Sequence, residues 1–310
     1  MHTLPSASAS RVSASPDTAA DTLATDHAGL PAHVTRGWLV RLLRTPAGLI
    51  GSLLSVAILL MAASARWVFP DDPLSMVAEP FLRPFADPTL PLGSDMMGRD
   101  ILSGIFHGAR ASLMIAATAT LIALVLGVGG GLLGGYFGGW LDRAITRLTV
   151  FFQTVPPFLF ALAIVAIVQP SVATISLAIG LTSWPSLARL VRAESLRLRH
   201  SEMVHASVAL GASDLRIIWR DVLPNAMTPV LVSTSLLVAN AILTESALAF
   251  LGLGDANVAS WGNMVGAGRE VLRTDWYIAT LPGIAILIAV LALNLLGDGL
   301  AAALDPHSAH

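Results

Sequence analysis

The chain has 310 residues, 55% hydrophobic and 12% charged, with a formal net charge of -2 and a mean hydropathy of +0.72. A soluble domain would carry about twice that charged fraction, so the composition points to a polytopic α-helical membrane protein. There is no Cys and no Lys, which excludes disulfides, thiolate metal sites, thiol nucleophiles, lysine Schiff bases and a Walker A loop.

Residues 1–34 are rich in Ser, Ala, Thr and Asp and contain no apolar run. They lack the core of a signal peptide and are expected to be a disordered tail. "TRGWLVRLLRTP", Thr35–Pro46, mixes Trp38, Leu39, Leu42 and Leu43 with Arg36, Arg41 and Arg44, which suits a short interfacial helix. Six stretches of about 20 apolar residues follow: Ala47–Val68, Ala111–Gly135, Leu148–Val168, Val172–Leu190, Met227–Leu251 and Tyr277–Leu304. The fourth is diluted by Ser, Thr, Trp184 and Pro185, and a tight hairpin around Pro170 joins it to the third.

Arginine placement sets the expected orientation. Eleven Arg, among them Arg143, Arg147, Arg189 and Arg216, fall on one side of these spans, and six, including Arg66, Arg83, Arg99 and Arg269, on the other. Both termini are therefore expected in the cytoplasm. The plan is a 1–34 tail, an interfacial helix and first span over 35–68, and an extracytoplasmic segment over 69–110. A core of five spans over 111–304 carries a cytoplasmic loop at 191–226, and a tail covers 305–310.

Two motifs imitate soluble or catalytic sites. Gly129, Gly131 and Gly134 have dinucleotide-fingerprint spacing, but they lie inside a span with no preceding strand; glycines there let helices approach closely. Gly252–Asp255 matches the GxGD signature of intramembrane aspartyl proteases, yet the partner Tyr-Asp motif is missing. The His residues show no HExxH spacing, so no metal site is expected.

The loop between the fourth and fifth spans contains "HASVALGASDLRIIWRDVLP", His205–Pro224. Ser201 can cap a helix whose next residue, Glu202, suits the positive end of the dipole. Gly211 supplies a left-handed corner. Ser213 is expected to cap a second helix beginning at Asp214, with Leu215, Ile218, Trp219 and Val222 on one apolar face, Arg216 and Arg220 on another, and Pro224 ending it. Such a pair could be an interfacial loop, a DNA-binding helix-turn-helix or an element that carries force from a cytoplasmic partner into the spans. Both ends are tethered close to a membrane and the surface is not strongly basic, which argues against nucleic acid.

This stretch resembles the EAA signature of permease subunits of binding-protein-dependent ABC importers. His205, Ala206 and Ser207 stand where Glu-Ala-Ala is usual, Gly211 matches the glycine, and Leu223–Pro224 the ending. Further blocks resemble the dipeptide/oligopeptide/nickel branch, second permease subunit type: "PLGSDMMGRDILSGIFHGARASL", "GGWLDR", "SWPSLARLVRAE", "ESALAFLGLG", "SWGNM" and "NLLGDGLAAALDP". The resemblance implies an all-α, six-helix type I ABC importer permease in the inner membrane, non-catalytic and without a cofactor of its own. It implies a homologous second permease chain as partner, two ATPase subunits holding ATP and Mg, and an extracytoplasmic substrate-binding protein. His205, Ala206, Ser207, Gly211, Ser213, Asp214, Leu215, Arg216, Trp219 and Pro224 would form the ATPase-coupling segment. Gly93, Asp95, Gly98, Arg99 and Asp100 would shape the outer mouth.

Candidate polar groups for the translocation pathway are Asn240 and Glu245 in the fifth span and Asn294 and Asp298 in the sixth. Glu245 could equally make a buried interhelical hydrogen bond, and Asp298 could be a helix-end residue at the interface. The substrate stays open among dipeptides, longer peptides, nickel chelates and glutathione. The alternative function is a proton-coupled peptide transporter, for which only Glu245 and Asp298 could form a relay.

Overall fold

A computed structural model of the protein describes residues 37–304, so the expectations for the 1–34 and 305–310 tails lie outside the described residues. The described residues contain no named strand and fold as helices: α1 (Trp38–Arg44), α2 (Pro46–Val68), α3 (Ile101–Phe137), α4 (Gly139–Gln153), α5 (Pro157–Val168) and α6 (Val172–Arg199). The chain continues with α7 (Glu202–Ala209), α8 (Asp214–Ile217), α9 (Leu223–Leu248), α10 (Trp261–Gly268) and α11 (Tyr277–Leu304). A π turn, Ile218–Val222, joins α8 to α9, and a second, beginning at Ala249, extends α9 to a kink at Gly252, whose φ is +83°.

The helix boundaries follow local chemistry. Thr45 caps α2, accepting the Gly48 N–H at 3.2 Å, and Pro46 takes the first helical position, where its missing N–H costs nothing. Asp100 caps α3 by accepting from Leu102 N–H, and Ser171 caps α6 by accepting from Thr174 N–H. Because of the Asp100 cap, α3 begins ten residues before the apolar run that marks the second span.

Among the described residues, four helices are long and apolar enough to cross a membrane: α2, α3, the continuous stretch Asp214–Leu253, and α11. The expected third span is a broken pair, α4 and α5, bent by 79° at Thr154–Pro156; counted as one span it makes five. The expected fourth span, α6, is helical but not apolar enough to be counted, so the six-span expectation is met only in part. Its polar groups are sheltered against its own backbone and α3: Thr182 Oγ1 donates to Ala178 O at 3.0 Å and Ser176 Oγ to Ile115 O at 3.4 Å.

The most extensive packing is between α3 and α6. Gly127, Gly131 and Gly135 form a stripe on α3 with a period of four. A Cβ on Gly131 would sit 2.6 Å from Val191 Cβ and 2.7 Å from Ala188 O; one on Gly135 would lie 2.6 Å from Ser195 Cβ. The missing side chains let two backbones touch, which is how helices associate where lipid offers no hydrophobic drive. Alanines do similar work elsewhere: Ala116, Ala119, Ala161 and Ala178 are fully or almost fully buried. Large apolar residues such as Leu53, Leu60, Leu121, Val125, Ile167 and Leu287 face outward, as lipid-facing surfaces require.

The bundle has two ends. One carries the α7–α8 pair. The other carries the 69–100 segment and α10, which meet around a small cavity of about 60 Å³ lined by Leu74, Arg99, Asn263 and Met264.

Candidate functional site

The α7–α8 segment leaves the bundle as a capped corner. Ser201 Oγ accepts the Val204 N–H at 3.4 Å. α7 ends in a Schellman turn: Gly211 N–H donates to Val208 O at 2.9 Å and Ala212 N–H to Ser207 O at 3.0 Å, with Gly211 at φ +76°. Ser207 Oγ then donates to Asp221 Oδ2 at 2.8 Å, fastening α7 to the π turn. Tyr136, at the end of α3, donates its hydroxyl to Asp214 Oδ1 at 2.9 Å, fastening α8 to the bundle.

Three sequence expectations are corrected here. Ser213 occupies the N-cap position of α8, but its hydroxyl makes no capping bond; the residue is exposed, so solvent can satisfy the first-turn amides. Pro224 does not end the helix. The π turn re-registers the backbone, with Leu223 N–H bonding Ile218 O, and leaves Pro224 in the first turn of α9, where no donor is needed. The expected single apolar face is divided. Ile217, Ile218 and Val222 are buried with Val204, Leu132, Leu187 and Val191, whereas Leu215 and Trp219 are 67% and 64% exposed. In a π turn residues five apart share a face, which brings Ile217 and Val222 into line and turns Trp219 outward.

The remaining expected coupling residues lie at the surface: His205, Ala206, Gly211, Asp214, Arg216 and Pro224 are exposed, and Ser207 is half-buried. Leu215 and Trp219 also border an apolar groove of about 840 Å³ against Val125, Leu132 and Phe137 of α3. Beneath the pair, Arg192 of α6 clasps Asp142 of α4 with two hydrogen bonds, the Nη2–Oδ2 bond at 2.7 Å. Nothing in the sequence pairs these residues, which stand 50 positions apart.

At the opposite end, residues 77–101 are knitted through the "GSDMMGRD" run. Ser94 is fully buried; its hydroxyl donates to Glu79 O at 2.5 Å and accepts from Leu82 N–H at 3.0 Å. Asp95 Oδ1 accepts from Met97 and Arg99 N–H at 2.8 and 2.9 Å. Gly93 and Gly98 have φ of +76° and +78°, and a side chain on either would strike the carbonyl of Leu82 or Ala78. Burial pushes the Asp100 carboxyl up, opposed by hydrogen bonds from the Leu102 and Ser103 amides. All five expected mouth residues are thus brought together in one turn system. Arg99 Nε is buried there without a hydrogen-bond partner.

The four expected pathway residues are not equivalent. Asn240 and Asp298 are exposed, Asn294 is half-buried, and Glu245 is 1% exposed. Glu245 meets two residues: Ser260 Oγ donates to its Oε1 at 2.7 Å and Ser246 Oγ to its Oε2 at 3.4 Å. Asp255 of the GxGD-like run serves as a turn residue, accepting from Val172 and Asn257 N–H. Among the described residues, no group of three or more His, Cys, Asp or Glu could hold a metal ion.

A polytopic helical membrane protein with a glycine-cornered helix pair set between two of its long helices has the architecture of an ABC transporter permease. The fold is similar to that of a chain of the MetNI methionine ABC transporter in an inward-facing conformation, with a TM-score of 0.55 and 16% identity over 65% of this chain and 96% of that one. The family model described as binding-protein-dependent transport system inner membrane component matches residues 127–310, and the chain belongs to that family. It is 39% identical to the di/tripeptide transport system permease protein DppC of Pseudomonas aeruginosa, over 84% of this chain and 88% of that protein. It is 40% identical to the dipeptide transport system permease protein DppC of Alkalihalophilus pseudofirmus, over 69% and 71%. Against the glutathione transport system permease protein GsiD of Pectobacterium atrosepticum it is 34% identical, over 86% and 89%. The protein is a multi-pass inner-membrane permease subunit of an ABC transporter of the peptide branch.

Proposed function

We propose that this chain forms half of the membrane pore of an importer for short peptides, with a homologous permease chain as the other half. Relatives named for di/tripeptides and for glutathione share the greater part of its length, which supports a small peptide-like substrate. ATP, with Mg, is hydrolysed by two partner subunits, since a chain without Lys has no P-loop lysine. An extracytoplasmic binding protein delivers the substrate at the 77–101 end, and both termini face the cytoplasm, in keeping with the arginine asymmetry.

One observation carries the coupling assignment. The α7–α8 pair is pinned to the bundle by buried Val204, Ile217 and Val222 while holding Leu215 and Trp219 in the open. A purely interfacial loop has no need of so rigid a corner. The pathway is assigned to the exposed faces of α9 and α11 that bear Asn240 and Asp298, with Asn294 beside them. A relay of protons through the spans finds no support in Glu245, which contacts only hydroxyl donors.

Affinity purification of the tagged chain from its native membrane tests this reading. Two P-loop ATPases and a second permease should accompany the chain, and Trp219→Ala should reduce ATPase recovery about tenfold, the loss expected when a central aromatic anchor is removed. Purification of the chain with no ATPase would contradict it.

A further inference from the structure

We propose that Glu245 is a positioning residue that transmits movement of the α7–α8 pair to the opposite end of the bundle by clamping α10 onto α9. The inference rests on the reading of that pair as the element moved by an ATPase.

The connection begins with helix continuity. Asp214–Leu253 runs as one 40-residue element, helical except at Gly252, with a π turn at Ile218–Val222 and Pro229 inside α9. At 1.5 Å per residue, Glu245 lies about 45 Å along it from Leu215. A displacement of the exposed pair reaches the Glu245 turn along this helix, past Pro229, without crossing a loop.

There the carboxyl meets α10. The Ser260 hydroxyl donates to Glu245 Oε1 at 2.7 Å, and Ser260 Oγ in turn accepts the Asn263 N–H at 3.1 Å as the cap of α10. One hydroxyl thus joins the α9 carboxyl to the first turn of α10. The next residue, Trp261, is completely buried; its N–H donates to Ser112 Oγ at 3.2 Å and its indole Nε1–H to Ile105 O at 2.9 Å, both on α3. Gly108 leaves room for the indole, since a Cβ there would lie 2.7 Å from Trp261 Cδ1. Asn263 Nδ2 holds the preceding loop through Asp255 O and Val258 O, and Asp255 Oδ2 accepts from Val172 N–H at the α5–α6 hairpin. One bonded path therefore runs from α9 through α10 to α3, with a branch to α6.

Simple packing does not explain a carboxyl at this place. No cation is among its hydrogen-bond partners, and an apolar side chain would fill the space without a desolvation cost. Direction explains it: the carboxyl fixes which turn of α10 is held. Gly252, at φ +83° with nothing near its Cβ position, lies between the clamp and the loop and gives the connection a pivot.

The test uses the complete assembly in proteoliposomes, with the best-transported labelled peptide from a panel of dipeptides, tripeptides and glutathione. Glu245→Leu and Ser260→Ala should keep subunit association and basal ATP hydrolysis but lower peptide imported per ATP about tenfold, the worth of one buried hydrogen bond. Glu245→Gln keeps an acceptor oxygen for Ser260 and should stay within about twofold of wild type. ATP-driven import at normal stoichiometry in Ser260→Ala would overturn the inference, as would loss of import in a stably assembled Glu245→Gln protein. If Glu245→Leu does not assemble, Ser260→Ala, which removes one oxygen, decides alone. Wild-type import that needs no ATP would instead overturn the underlying reading.

Discussion

Gly211 sits at φ +76° with no atom within 4 Å of where its Cβ would be. A side chain there meets open space, so its cost is conformational: about 1 kcal/mol for most residues and more for a β-branched one. Gly211→Val should therefore leave the protein inserted while turning the corner, lowering ATPase association and abolishing import. Gly211→Asn, which tolerates the left-handed region, should retain both. A pull-down and an import assay on the same membranes check the pair, and equal behaviour of the two variants would remove the corner from the account. Gly211 was legible in the sequence because a polar-capped helix ran into it and another began beyond it. Ser213 was misread because a capping residue type does not guarantee a capping bond where solvent competes. Trp261 had no local signal at all beyond its place in a resembling block, since its partners Ile105 and Ser112 lie about 150 positions away.

Among the elements, α3 and α6 show how a motif can mislead by pattern and inform by position. The Gly129, Gly131 and Gly134 spacing suggests a nucleotide loop, yet the glycines serve helix packing and do so unequally. Gly131 faces Val191 and Ala188, whereas nothing lies within 4 Å of a Cβ on Gly129. Gly131→Ala should destabilise the detergent-solubilised protein by about 1–3 kcal/mol through overpacking. Gly129→Ala should be neutral or slightly stabilising, because alanine is the better helix former. Thermal unfolding followed by circular dichroism separates them; matching transitions would show that α3 and α6 do not meet as described. The third and fourth spans were the least legible elements. The break between α4 and α5 spans Thr154–Pro156, just before Pro157 opens α5, a visible signal, but the 79° bend depends on what each half packs against. The two π turns leave no mark in the apolar pattern, so the division of Leu215 and Trp219 from Ile217 and Val222 emerges only in three dimensions.

At the scale of the whole molecule, composition and the order of apolar runs reveal the membrane class, and the missing lysine removes a Walker A loop from this sequence. The substrate is not written in this chain's polar residues: Asn240, Glu245, Asn294 and Asp298 divide between exposed, half-buried and sealed positions. The central claim is that a partner ATPase, acting through the α7–α8 pair, drives peptide import. The measurement is uptake of a labelled short peptide by proteoliposomes holding the purified assembly and its binding protein, with ATP enclosed and a protonophore present. The account predicts uptake that survives the protonophore, stops when ATP is withheld, and is lost in Gly211→Val. Uptake by this chain alone under a proton gradient, without ATP, would contradict it.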